Sequence, residues 1–330
     1  MTDRTARTVP DPSDLRTLVD ELDADVVGRR REIELVVAAV AVDRHIVIEG
    51  PPGTGKSTLL RAVARQLGLG FEFVEGNAEL TPARLVGHFD PARVLAEGYD
   101  PDVFVPGPLV TALRDGALLY VEELNRIPEE TLNVLITVMS ERELHVPRLG
   151  RIEAASGFRL VAAMNPFDAV GTARISGAVY DRVCRIAVDY QSAADEIAIT
   201  RRVTSGSTSA TAGAPVDVDR IVRLVRATRD HADVRVGSSV RGAIDMAEVT
   251  RSLATLRNGG STSNDVSLDA ALVALSGRIR IREGCSRTAE DVVTELWRTV
   301  FDVPDGPDVS GGGDSDDEGK ATAPAGAMTT

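Results

Sequence analysis

The motif Gly50-Pro51-Pro52-Gly53-Thr54-Gly55-Lys56-Ser57 is the most informative part of this 330-residue chain. Its spacing is that of a phosphate-binding loop, G-x-x-x-x-G-K-[ST], in which backbone N–H groups cradle phosphates and the last hydroxyl reaches Mg²⁺. Lys56 is the only lysine in the first 319 residues, where arginine takes the place of lysine at every other position. A compact ammonium on a flexible stem suits this position, and the planar fork of arginine does not replace it. The motif predicts a nucleoside triphosphate site, with ATP and Mg²⁺ as cofactors.

The residues on either side of the loop fit this prediction. The apolar run His45–Glu49 is typical of a buried strand, and Ser57–Leu67 carries its apolar residues at helical spacing. A strand, a glycine-rich loop and a helix in this order point the free N–H groups of the helix N-terminus at the phosphates.

Strands and helices alternate through the first 190 residues. Further strands are predicted at Phe71–Glu75, Ala117–Glu122, Phe158–Ala163 and Arg185–Val188. Continuous rather than alternating apolar runs indicate a parallel sheet that is covered on both faces. We therefore expect an α/β fold in which helices sandwich a parallel five-stranded sheet, followed by a smaller all-α lid.

The chain is expected to divide into four segments. Helical periodicity without strands follows Tyr190, and the last stretch contains a glycine run, an acidic cluster and no apolar periodicity. The predicted segments are a disordered N-terminus at 1–14, an α/β nucleotide-binding domain at 15–190, an α-helical lid at 191–302 and a disordered acidic and polar tail at 303–330.

Composition narrows the class of partner. The formal net charge is −13 and the pI is near 4.9, whereas general affinity for nucleic acid needs a basic surface. No apolar run approaches the roughly 18 residues of a membrane span, and the polar start of the chain has no signal-peptide core. We expect a cytoplasmic protein without a membrane span and without a general affinity for nucleic acid.

Two acidic residues follow the strand at Ala117–Val121. In P-loop ATPases a neighbouring strand delivers an acidic side chain that holds Mg²⁺, and an adjacent glutamate polarises the attacking water as general base. These roles are assigned to Glu122 and Glu123, and Ser57 joins Glu122 as a metal ligand. A solvated strand terminus is the alternative interpretation.

Several short motifs in sequence order make a family resemblance specific. Glu123-Leu124-Asn125-Arg126-Ile127-Pro128 resembles the D-E-[IL]-N-R-x-P signature of MoxR-type AAA+ ATPases, P-loop NTPases of the helix-2-insert clade. Three departures occur: Glu122 replaces the usual aspartate, Arg84 replaces an acidic residue, and Val183 replaces phenylalanine. The further matches are Val27–Arg29, Leu80–Gly87, Gly107–Leu109, Ala163–Pro166, Tyr180–Arg182 and Gly237–Arg241.

The resemblance implies roles for residues outside the loop. Val27 and Gly28 would lie beside the adenine, Asn165 would orient the attacking water, and Arg241 would be the sensor in the lid. Arg182 would be the arginine finger of the neighbouring subunit, with Arg185 as the alternative, and Arg126 is a candidate for an interface contact. The catalytic set is thus Glu123, Asn165, Arg182 and Arg241, and the cofactor-binding set is Gly50, Pro51, Pro52, Gly53, Thr54, Gly55, Lys56, Ser57, Thr58, Val27 and Gly28.

The resemblance also implies how such a protein works. It implies an ATPase in a homo-oligomeric ring, expected to be a hexamer, that remodels, matures or activates a partner protein or metalloenzyme complex. A partner with a von Willebrand factor A domain is common in the family. Two stretches, 81–107 and 142–154, are predicted to be exposed, and residues 144–152 of the second are predicted to form a hairpin. The resemblance implies that both stretches face the pore. A nucleic-acid motor and a nucleotide-gated binding module with weak hydrolysis remain alternatives, and the sequence does not name the client.

Overall fold

The computed structural model describes residues 12–166, 175–205, 216–257 and 263–302. The strands, in chain order, are β1 His45–Glu49, β2 Phe71–Glu75, β3 Gly87–Phe89, β4 Phe104–Pro106, β5 Leu118–Glu122, β6 Glu143–Val146, β7 Gly150–Glu153, β8 Arg159–Met164, β9 Val183–Ala187, β10 Val234–Val236 and β11 Arg280–Ile281. The helices are α1 Pro12–Asp25, α2 Arg30–Ala41, α3 Lys56–Gln66, α4 Pro82–Val86, α5 Pro91–Glu97, α6 Pro108–Asp115, α7 Glu129–Glu141, α8 Gly177–Tyr180, α9 Ala193–Ser205, α10 Val218–Asp230, α11 Val240–Leu256, α12 Ser263–Leu275 and α13 Ala289–Phe301.

The central sheet confirms the predicted fold class. Its strand order is β2-β5-β8-β1-β9, and every neighbouring pair is parallel. All five residues of β1 and all six of β8 are buried, because these two strands are covered by helices on both faces. The carboxyl ends of parallel strands meet at one edge of a sheet. The chain leaves β1, β5 and β8 there, at residues 50, 123 and 165.

Two apolar layers hold the sheet between helices. One face packs against α6 and α7 through residues such as Leu109, Leu113 and Leu135. The other face packs against α1, α2 and α3, where Ile33, Val36 and other residues are fully buried. Aliphatic side chains dominate both layers, as the low aromatic content of 4% requires.

The C-terminal part is mostly helical, but the prediction of an all-α lid was wrong in one respect. Helices α9 to α13 surround their own core, in which Trp297 and Met246 are buried. A short antiparallel pair, β10 with β11, joins Val234 to Ile281 across 47 positions of the chain. The runs are only three and two residues long, too short for a periodic sequence signal.

The predicted segment boundaries fall only partly within the described residues. Helix α1 begins at Pro12, so the predicted disordered start at 1–14 overlaps an ordered helix by three residues. Residues 1–11 and the predicted tail at 303–330 lie outside the described residues. The division at residue 190 stays a prediction. Within the described ranges, no helix is both long and apolar enough to cross a membrane.

Both predicted exposed stretches carry secondary structure. The stretch 81–107 contains α4, α5 and the antiparallel pair of β3 with β4, and the stretch 142–154 forms the predicted hairpin, β6 with β7. The two touch each other, because the Arg148 guanidinium lies 3.7 Å from the centre of the Tyr99 ring. Phe89 packs edge-on against Tyr99 and Phe104, with 5.2 Å between ring centres in each pair.

Candidate nucleotide site

The loop between β1 and α3 has the backbone geometry of an anion cradle. Gly53 and Gly55 adopt φ values of +74° and +80°, a region that favours glycine. Gly55 precedes the first residue of α3, and no side chain caps the N-terminus of that helix. Its first N–H groups therefore remain available to a phosphate, and the helix dipole favours the negative charge.

Lys56 holds its ammonium inside this loop. Its Nζ donates hydrogen bonds to the carbonyls of Gly50, at 2.9 Å, and Pro51, at 2.7 Å. Burial lowers the pKa of Lys56 to about 8, with the positive charges of Arg241 and Arg29 acting in the same direction and Glu122 opposing them. The phosphates of a bound triphosphate would supply a negative counter-charge to this partly desolvated ammonium.

A pair of oxygen ligands for a divalent cation lies at the start of α3. Ser57 Oγ is 3.3 Å from Glu122 Oε1, at the end of β5, and 3.1 Å from Tyr120 Oη. Burial raises the pKa of Tyr120 to about 12, so this hydroxyl stays protonated. Mg²⁺ prefers one or two protein oxygens together with phosphates and water. The donor set fits Mg²⁺, although Glu122 stands where the family has aspartate.

Glu123 occupies a constrained position beside this pair. Its backbone is left-handed, with φ +53°, which is uncommon for a residue other than glycine. Its carboxylate lies 2.9 Å from Arg126 Nε and is 42% exposed. The arginine that the resemblance offered as an interface residue therefore pairs with the candidate base of its own chain. The geometry restrains Glu123 at the edge of the site where solvent has access.

Asn165 reaches the same edge of the sheet from β8. The buried Asn125 donates from Nδ2 to the Asn165 carbonyl at 3.3 Å, which ties the turn after β8 to the turn after β5. Gly50 N donates to the Met164 carbonyl at 3.1 Å, so the phosphate loop lies beside this turn. Asn125 belongs to the quoted family signature, but its positioning contact was not foreseen.

The lid reaches the loop directly. A Cβ on Gly53 would collide with Ser239, two residues before Arg241, and its nearest further neighbour would be the Arg241 side chain. Gly28 faces the start of the lid, since a Cβ there would collide with Asp195 in α9. Gly28, one of the two candidate adenine residues, and the candidate sensor Arg241 therefore lie at the junction of the lid with the sheet.

Arg29 is a positioning residue that sequence reasoning missed. It is buried, and its Nη2 donates to the carbonyl of Thr54 at 2.9 Å and of Asp189 at 2.6 Å. One guanidinium thereby fixes the phosphate loop to the chain leaving β9. The motif Val27-Gly28-Arg29 contained the residue, but nothing in the sequence indicated that it is buried.

The structure does not bring Arg182 to this site. His45 pairs with Val183, whereas Glu49 pairs with Ala187, so Arg182 lies at the amino edge of the sheet and the loop at the carboxyl edge. At about 3.3 Å per residue, the two ends of these strands are about 13 Å apart. Arg182 donates to Ser140 Oγ and to the Ala178 carbonyl, the latter at 2.7 Å.

Arg185, the alternative finger, is engaged within its own chain. Its Nε and Nη2 both lie 2.6 Å from Glu49 Oε2, and Tyr180 Oη donates to Glu49 Oε1 at 2.7 Å. Glu49 is buried and is the last residue before the loop. Moving Arg185 to a neighbour would leave this carboxylate buried and without its cation, which is unfavourable.

The sequence of this chain is similar to those of several known proteins. Residues 45–183 match the AAA domain of the dynein-related subfamily. The protein MoxR of Methylorubrum extorquens is 35% identical over 156 residues, which cover 43% of this chain and 44% of MoxR. The gas vesicle ATPase GvpN1 of Halobacterium salinarum is 28% identical over 273 residues, covering 77% of this chain and 76% of GvpN1.

A solved structure shows the same fold. The crystal structure of a candidate ATPase from Cytophaga hutchinsonii has a TM-score of 0.50 and 20% sequence identity, covering 87% of this chain and 94% of that protein. Against several curated relatives the chain spans only about half of their length, 58% for a protein of Staphylococcus epidermidis and 44% for MoxR.

These similarities identify residues 45–183 as an AAA domain and confirm the predicted resemblance to MoxR-type AAA+ ATPases. Two of the relatives, GvpN1 and the GvpN of Ancylobacter aquaticus, are named gas vesicle ATPases.

Proposed function

We propose that this protein hydrolyses ATP at the interfaces of a homo-oligomeric ring and uses the cycle to remodel a partner protein. The observation that carries the proposal is the meeting of Lys56, Ser57 and Glu122 at one sheet edge, while Arg182 lies at the other edge. One subunit thus has a nucleotide cradle on one side and a cationic group on the opposite side.

The residues of the cradle have distinct tasks. The N–H groups of the loop and Lys56 bind the phosphates, and Ser57 with Glu122 would hold Mg²⁺, which neutralises charge as the γ-phosphate departs. Glu123 accepts the proton of the attacking water, and Asn165 orients that water. Arg126 restrains the Glu123 carboxylate through their 2.9 Å ion pair. Ser239 lies against Gly53, and this contact supports a position of Arg241 beside the bound phosphates.

The ring follows from the positions of the two groups. A surface that carries the cradle and an opposite surface that carries Arg182 form a heterologous, head-to-tail contact when two copies meet. Such contacts close into a ring when the rotation allows, and a hexamer is the state we propose. Arg182 then meets the γ-phosphate of the neighbour, because its own phosphate loop is out of reach.

The proposed client is a protein, in the cytoplasm. MoxR and the gas vesicle ATPases are the named relatives, and maturation of a metalloenzyme or other complex, with or without a von Willebrand factor A partner, is the role we propose by similarity. The hairpin arginines favour a protein over nucleic acid. Arg148 stacks on Tyr99, and Arg151 is paired with Glu143 and Glu153, so neither is free for a phosphate backbone in a chain of net charge −13.

Removing the proposed base tests hydrolysis. Glu123→Gln keeps the size of the side chain but cannot accept the proton, so steady-state turnover with Mg²⁺ should fall by about 10²–10⁴-fold. ATP affinity, measured by calorimetry, should stay within about twofold, since Glu123 holds no phosphate.

Two controls frame this experiment. Glu129→Gln changes an exposed glutamate on α7 and should hydrolyse ATP at the rate of the unaltered protein, whereas Lys56→Ala should lose ATP binding. Unchanged turnover in Glu123→Gln would show that Glu123 is not the general base. Absence of Mg²⁺-dependent ATPase activity in the unaltered protein would overturn the proposed function.

A further inference from the structure

A cavity of about 480 Å³ opens at the amino edge of the sheet, on the side opposite the phosphate loop. This volume lies within the range of small-ligand sites. Its wall is formed by the residues that precede β1 and β9 and by the C-terminal end of α7. The cavity is therefore separate from the nucleotide cradle of its own chain and contains the candidate finger, Arg182.

Three arginines from three elements converge on this cavity. His45 pairs with Val183, so the residues before them, Arg44 and Arg182, lie level on adjacent chains, which are about 4.8 Å apart in a sheet. Arg182 Nε donates to Ser140 Oγ, and Arg142 follows two residues later as the left-handed cap of α7.

The charge of the cavity is unusual for so acidic a chain. Its carboxylates are Asp43 and Asp181, and Asp43 is paired with Arg159. Within the described residues, Arg44 and Arg142 have no ion pair to neutralise them. Burial lowers the pKa of His45 to about 4, and the positive charges of Arg142 and Arg44 act in the same direction. The histidine is therefore neutral, and the arginines give the cavity a positive charge.

We propose that this cavity receives the terminal phosphates of the ATP bound to the phosphate loop of a second copy, and that Arg142 acts there as a second cation beside Arg182. The inference rests on the proposed function and deepens it. Arginine is suited to the task because its planar fork binds two phosphate oxygens at once. Arg142 is favoured over Arg44 because it is half-buried, whereas Arg44 is exposed.

The location of Arg142 gives the contact a mechanical consequence. Glu143, the next residue, begins the hairpin of β6 with β7. A phosphate that binds Arg142 and shifts its position would therefore also shift the first residue of that hairpin. Loss of the γ-phosphate in one subunit would thus be communicated to the hairpin of its neighbour.

Arginine also stabilises helix C-termini, so the test must separate that role from a contact across the interface. Arg142→Ala should lower ATPase turnover by about 10–100-fold, the effect of losing one charge-assisted bond. ATP affinity of the isolated subunit should stay within about twofold. Arg114→Ala, in the last turn of α6 and outside the cavity, is the matched control and should keep full turnover.

Mixed assemblies provide the decisive measurement. Lys56→Ala subunits bind no ATP but carry an intact Arg142, so mixing them with Arg142→Ala subunits should restore turnover at interfaces where both intact groups meet. Arg142→Lys should regain part of the turnover, because the charge returns without the fork. Native mass spectrometry would verify that the two variants co-assemble.

Each result has one meaning. Rescue in co-assembled mixtures supports Arg142 as a cation acting in trans. Absence of rescue, or an equal loss of ATP affinity in the isolated Arg142→Ala subunit, would overturn it. An unaltered protein that hydrolyses no ATP would instead mean that the proposed function has failed. Urea unfolding midpoints of Arg142→Ala and Arg114→Ala that differ widely would assign Arg142 to folding, which also overturns the inference.

Discussion

At the scale of the residue, the site depends on a few charged groups that the fold partly removes from water. The Lys56 ammonium donates to two carbonyls of its own loop, and Arg29 donates to a third, the carbonyl of Thr54. Both cations are partly removed from water, which disfavours their charged forms. A bound anion would stabilise these charges, so burial increases the affinity of the site for an anion. Among the first 319 residues, which are otherwise basic only through arginine and histidine, lysine occurs solely at this position of the phosphate loop.

The lowered pKa of Lys56, about 8, predicts a pH-dependent affinity for ATP. Below about pH 8 the ammonium is already charged, and affinity should not change through this group. Above it the amine is neutral in the free protein, so binding must take up a proton, and Kd should rise by up to about tenfold per pH unit. Calorimetry with ATP and Mg²⁺ between about pH 7.5 and 9.5 measures this.

Lys56→Arg is the control for the pH experiment. Guanidinium keeps its charge over this range, so the slope with pH should disappear even where the overall affinity is lower. A level Kd for the unaltered protein across the range would contradict the buried position of the Lys56 ammonium.

At the scale of the element, a buried ion cluster connects the lid to the chain that enters it. Glu196 in α9 is 1% exposed and lies 2.8 Å from Arg229 Nη2 and 3.2 Å from Arg226 Nη1, both in α10. Arg229 also stacks over the Tyr190 ring at 3.8 Å and donates to the Ser238 carbonyl at 2.7 Å. The cluster thus joins the entrance of the lid to the turn that presents Arg241.

Breaking this cluster should destabilise the protein strongly. Glu196→Gln leaves Arg229 buried without its counter-charge, so the free energy of unfolding should fall by about 3–5 kcal/mol. Asp219→Asn breaks an exposed pair with Arg201 and should cost about 1 kcal/mol or less. Urea denaturation measures both variants, and a loss below about 1 kcal/mol in Glu196→Gln would show that the cluster is not a structural link.

At the scale of the whole molecule, the sheet separates the two halves of the proposed active site. The phosphate loop lies at the carboxyl edge, and Arg182 lies at the amino edge, about 20 Å away along the strands. Under the proposed function, a single copy would have an incomplete site for hydrolysis. Assembly would complete the site, which would give the nucleotide a direct influence on the oligomeric state.

ATP with Mg²⁺ should therefore drive assembly, to the proposed hexamer. The γ-phosphate gives Arg182 of the next subunit an anion to pair with, whereas ADP lacks it and should leave smaller species. Light scattering on Glu123→Gln, which should retain unhydrolysed ATP, measures the mass. Lys56→Ala under the same conditions should stay small, and a monomeric Glu123→Gln protein with ATP at micromolar concentration would exclude the ring.

The sequence by itself determined the phosphate loop, the five parallel strands and the succession of lid helices. These features are local, since a motif of eight neighbouring residues or a run of apolar residues specifies each of them. Only the tertiary structure decided that Arg29 bonds the carbonyl of Asp189, 160 positions away, and that Arg44, Arg142 and Arg182 surround one cavity. It also decided the pairing of β10 with β11. Such contacts join residues that are distant in the chain and have no spacing of their own, so packing rather than local pattern specifies them.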